Sequence, residues 1–121
     1  MSAILRPILV CLCAMADPAL AAAPEVVAVT ADKQGSDWRF DVTLLHPDTG
    51  WDHYADGWQI ETADGTVLGQ RELLHPHETE QPFTRSLPAV AIPTGTQTVI
   101  LRPRCSMDGW SETGFSVQLT P

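Results

Sequence analysis

The sequence predicts an all-β sandwich, and three observations carry that expectation. Ten prolines and eight glycines are scattered along the 121 residues and would interrupt any long helix. Apolar residues recur in short runs of period two rather than at helical spacing. The runs follow one another closely, with turn-forming residues between them, as in two packed antiparallel sheets. About seven strands of an immunoglobulin or fibronectin type III-like sandwich are expected. The lack of a Cys-Trp-Cys core signature favours the fibronectin-like variant.

Residues 1–21 read as a signal peptide. Arg6 supplies a positive charge, Ile8 to Ala16 is apolar, and Ala19-Leu20-Ala21 has the small-x-small form of a cleavage site before Ala22. The apolar run is shorter than the about 20 residues needed to cross a bilayer, so export without a membrane anchor is expected. Cys11 and Cys13 lie inside this segment. They follow Val10 and Leu12, where a lipoprotein cut would want a small residue, and both read as apolar filler. Residues 22–121 are then a single periplasmic domain, long enough to bury one core.

Glu25 to Thr30 is the first expected strand. Trp38 to His46 is the second, with Trp38, Phe40, Val42 and Leu44 facing inward and Arg39, Asp41 and Thr43 outward. Trp58 to Thr62 is the third, with Trp58 and Ile60 inward and Gln59 and Glu61 outward. Ala63-Asp64-Gly65-Thr66 predicts a type I′ hairpin turn, because Asp-Gly suits positive φ, so Val67 to Leu74 should return beside the third strand. Phe83 to Leu87, Thr98 to Arg104 and Phe115 to Thr120 complete the set.

Arg6 and Asp17 fall in the signal segment, so the mature part keeps a formal charge of −8. Such a field repels nucleic acid and anionic membrane surfaces and draws in cations. Cys105 becomes the sole thiol, either buried and inert, a metal ligand or an intermolecular link.

Successive antiparallel strands alternate direction, which brings His46, His53, His75, His77, Cys105 and Met107 to one pole. His46 continues the inward phase of Leu44, and Cys105 that of Val99 and Leu101. His75 and His77 flank Pro76 and share a face in extended backbone. Imidazole and thiolate are donors that zinc and copper accept. The expected ligands are His46, His75 and His77 with Cys105 or His53 as the fourth, and Met107 in place of an imidazole would tilt the choice to Cu(I). Asp52, Glu78, Glu80 and Asp108 are acids placed to orient an imidazole or to remain as solvated loop charges.

Trp51, Tyr54, Trp58 and Trp110 gather at the same pole, as a ligand surface or as anchors for its loops. Arg85 shares the phase of Phe83 and Leu87 and should have an acidic partner, Glu80 or Glu72.

Trp51-Asp52-His53-Tyr54-Ala55-Asp56-Gly57-Trp58 and the run from Leu73-Leu74-His75-Pro76-His77 through Glu80-Gln81-Pro82-Phe83-Thr84-Arg85-Ser86 resemble a family of small exported proteobacterial proteins of unknown function. The resemblance covers the chain from about Trp38 onward and implies a periplasmic sandwich domain. It brings no assigned ligand or chemistry. The expected function is therefore binding of copper or zinc in storage, delivery or sensing, with an interaction module for an unidentified periplasmic protein or ligand as the alternative. No serine-centred nucleophile motif points to an enzyme.

Overall fold

Strict alternation along Asp37–Leu45 drives one face of that strand fully inward, where Phe40, Val42 and Leu44 are at most 1% exposed. The computed structural model describes residues 23–120, and the signal segment expected over residues 1–21 lies outside the described residues. Eight strands and no helix form among them: β1 (Glu25–Gln34), β2 (Asp37–Leu45), β3 (Ala55–Glu61), β4 (Val67–Glu72), β5 (Phe83–Val90), β6 (Thr98–Cys105), β7 (Gly109–Trp110) and β8 (Phe115–Gln118).

The strands make a β-sandwich. One sheet has the order β1-β2-β5, and the other runs β4-β3-β6, with β7 and β8 both paired to the far side of β6. Every named pairing is antiparallel. Trp38, Phe40, Val42, Leu44 and Phe83 from the first sheet meet Trp58, Ile60, Val99, Leu101 and Val117 from the second in one buried cluster. Leu73 and Leu119, just past strand ends, close it.

Two local expectations are corrected. The turn after β3 is not type I′, since that form needs positive φ at both central residues and only Gly65 takes it, at 90°. Instead Gly65 N–H donates to Thr62 C=O, Thr62 N–H donates to Thr66 C=O, and Asp64 accepts from Thr66 N–H. This is a type I turn followed by a left-handed glycine, the common three-residue hairpin. Glu61, expected to face outward into water, is 5% exposed. Its carboxylate accepts from Arg102 Nε at 2.9 and 3.2 Å, and Arg102 Nη1 donates to the carbonyls of Ser111 and Glu112, which draws that loop over the sheet.

Boundaries differ elsewhere by a few residues. β1 and β5 run longer than expected, β4 stops before Leu73, and the two-residue β7 was not foreseen. The strand directions stand as derived: β2, β4 and β6 end, and β3 and β5 begin, at the pole that carries the histidines.

Candidate metal centre

Three strand-end residues are brought together at that pole. His46 follows β2, Cys105 closes β6, and His53 sits in the loop that leads into β3. One ligand atom of each lies within 4.8 Å of the others. Three points so spaced share a centre within about 2.8 Å of each, so a contraction of under about 1 Å brings all three to bonding distances near 2.0–2.3 Å.

The local chain explains each position. His46 and Cys105 continue the inward phase of their strands and are fully buried. β3 carries Ala55 opposite Cys105, which brings the His53 loop alongside the thiol. That loop is pinned by a tight turn in which His53 N–H donates to Gly50 C=O and Thr49 N–H donates to His53 C=O. Gly50 has φ 139°, a conformation side-chain-bearing residues rarely adopt. Tyr54 and Ser106 exchange two hydrogen bonds, Ser106 N–H to Tyr54 C=O at 2.9 Å and Tyr54 N–H to Ser106 Oγ at 3.0 Å, so the two ligand loops are stitched together.

The imidazole of His46 packs edge-on to that of His53, with ring centroids 4.8 Å apart. His53 Nε2 is out of solvent and makes no hydrogen bond among the described residues. A buried imidazole nitrogen is normally paired, and His77 Nδ1 is likewise left without a hydrogen bond among the described residues.

Asp48 organises the pole and was missed from sequence. Its side chain is wholly buried. Oδ1 accepts from His46 Nδ1 at 2.5 Å and from Ala55 N–H at 3.0 Å, while Oδ2 accepts from His77 N–H at 2.8 Å. A carboxylate accepting from Nδ1 fixes the orientation of the His46 ring, as carboxylates do behind metal-binding imidazoles. Gln81 adds a second brace, accepting from His46 N–H and donating to His77 C=O. The signal for Asp48 was its spacing: it lies two residues beyond His46, in the same inward phase.

His75 and His77 form a separate pair across Asp48, with ring centroids 4.5 Å apart. His77 is buried, stacks on Phe83 at 3.9 Å, and accepts from Arg85 Nη2 at 2.8 Å through Nε2. Burial first, then the nearby Arg85 and His75 charges, lower its pKa below the usual histidine value, against smaller opposing effects from Asp48 and Glu80. His75 is exposed, and its Nδ1 bonds the Pro76 carbonyl at 3.1 Å. Met107 is 66% exposed. Neither histidine joins the cluster of His46, His53 and Cys105.

The guanidinium of Arg85, expected to need an acid, takes His77 as its close partner, with Glu80 farther away at 3.8 Å. The aromatics divide between roles. Trp58 fills the core, Trp110 lies under the Arg104 guanidinium at 5.4 Å, and Trp51 stands 67% exposed with its ring edge-on to Tyr54.

No family model matches the chain, and no solved structure matches it. A protein from Halomicrobium mukohataei named "Putative lipoprotein" is 48% identical over 86 residues, which is 70% of this chain and 42% of the relative. The chain thus spans less than half the length of that relative. An archaeal relative lends no support to the proteobacterial setting that the motif resemblance implies.

Proposed function

We propose that this is an exported, periplasmic protein that binds one transition-metal ion, copper or zinc, on His46, His53 and Cys105, for storage, delivery or sensing. One observation carries the reading: two imidazoles and a thiol converge at the closed edge of the core, and the buried Nε2 of His53 has no hydrogen-bond partner among the described residues. The Asp48 carboxylate behind His46 is what a metal-binding imidazole requires of its surroundings. Export is supported by the charge and small-residue pattern of residues 1–21 and by the name of the archaeal relative. The proposed role is binding and not catalysis.

The test is metal titration followed by native mass spectrometry of the full chain carrying Cys11→Ala and Cys13→Ala, so that Cys105 is its sole thiol. One ion per chain is expected with Zn²⁺ or copper. His46→Ala and His53→Ala should each abolish tight binding, while His75→Ala should leave it unchanged. Uptake that survives the first two variants, or that disappears with the third, refutes the assignment.

A second reading has its own observation. Trp51, Leu74 and Met107, on the three loops of this pole, are each about two-thirds exposed. Exposed large apolar side chains on adjoining loops suit a surface that binds an envelope protein or ligand without metal.

A further inference from the structure

Resting on the metal site proposed above, we infer that it is a one-electron copper centre, in which His46, His53 and Cys105 hold the ion in both the Cu(I) and Cu(II) states. The function is then electron carriage.

The donor count argues for copper. Closed zinc sites take four protein ligands, whereas two histidines and one cysteine in a trigonal arrangement are the donor set of electron-transfer copper. Among the histidines, cysteine and acids of the described residues the cluster ends at three. Asp48, the nearest acid, has both oxygens committed to His46, Ala55 and His77. His77 stands outside the cluster with its Nε2 held by Arg85, and Met107 is 66% exposed.

Rigidity argues for electron transfer. A centre that changes oxidation state quickly must keep its ligands nearly still, and these are fixed by contacts that do not depend on the metal. His46 is held through its backbone N–H by Gln81 and through Nδ1 by Asp48. Cys105 is paired to Ala55 on one side and Gly109 on the other. His46 and Cys105 are fully buried, which keeps water and oxidants from the thiolate, while His53 is partly exposed. His53 is therefore the edge through which an electron would pass, beside the exposed Trp51.

The step balances simply. Cu(I) gives one electron to a one-electron acceptor protein and becomes Cu(II), which regains one electron from a donor protein of lower potential. No bond is made or broken, and the thiol proton leaves once, when metal first binds.

The experiment loads the full chain, with Cys11→Ala and Cys13→Ala, with one equivalent of Cu(II) under anaerobic conditions and records visible absorption and electron paramagnetic resonance. An intense thiolate-to-copper charge-transfer band is expected, bleached by one reducing equivalent and restored by one equivalent of ferricyanide over repeated cycles. Cys105→Ser should lower the band at least about tenfold while circular dichroism shows the fold intact. Copper bound without the band overturns the inference, as does a band that decays irreversibly with oxidation of the thiol. Uptake of zinc alone also overturns it but leaves the metal-binding reading standing, whereas uptake of neither metal ends both.

Discussion

Across 2.5 Å the Nδ1 of His46 donates to Oδ1 of Asp48, with both side chains completely shielded from solvent. The same carboxylate receives the backbone N–H groups of Ala55 and His77, so one acid ties the end of β2 to the start of β3 and to the loop before β5. One carboxylate thus braces three chain segments and orients the His46 ring.

Asp48→Asn would turn an amide N–H toward groups that are themselves donors. A loss of about 2–4 kcal/mol in urea-unfolding stability is expected, because buried N–H groups lose their acceptor. Metal affinity should fall about 10–100-fold, the usual effect of removing a carboxylate behind a ligating imidazole. Stability equal to the unmutated chain would show that the carboxylate does not hold the loops.

His77 gives the fold a pH dependence of definite sign. Its pKa is lowered in the folded state, so the unfolded chain binds the proton more readily. The stability it confers is present above the ordinary histidine value and is lost as pH falls from there through the lowered value. Burial sets that range first, with Arg85 and His75 lowering it further and Asp48 and Glu80 opposing. Unfolding free energies measured between neutral and mildly acidic pH should decline, and His77→Gln, which keeps an acceptor for Arg85, should flatten the decline.

Glu61 and Arg102 form the buried ion pair of the second sheet. Arg102 keeps a quarter of its side chain in water, so the full penalty for breaking a buried pair does not apply. Glu61→Gln should cost about 2 kcal/mol, and Arg102→Met should cost as much while freeing the Ser111–Glu112 segment to exchange its amide hydrogens. A double-mutant cycle tests the coupling, and strictly additive losses would show the pair to be energetically idle.

Trp51→Ser should alter stability by no more than about 0.5 kcal/mol, since the ring is largely in solvent and only its edge meets Tyr54. A larger loss in thermal denaturation would make Trp51 an anchor of its loop and weaken the case that it serves a partner.

The sandwich was legible because alternation reports burial directly. Trp38, Phe40, Val42 and Leu44 all lie in the core, and the same phase count carried on to His46 and Cys105. Direction counting was equally sound, because it needs only that consecutive strands be antiparallel. The fate of His77 was not legible. Its nitrogen is claimed by Arg85, eight residues away on β5, and its backbone by Asp48 from another loop. Spacing within a motif says nothing of such long-range competitors. Glu61 shows the same limit: its outward phase is genuine, but the Ser111–Glu112 loop and Arg102 cover that face. Asp48 alone left a readable trace, and it was hidden by the assumption that the inward phase stops where a strand does.

The inward phase that carries His46 has a wider meaning for biogenesis. A strand displaced by a single position would expel Phe40, Val42 and Leu44 together with His46, because all four ride on one side of β2. No chain mispaired in this way can therefore keep His46 beside His53 and Cys105. Occupancy of the proposed site would act as an inspection stamp, present only on molecules whose ladder has been assembled correctly.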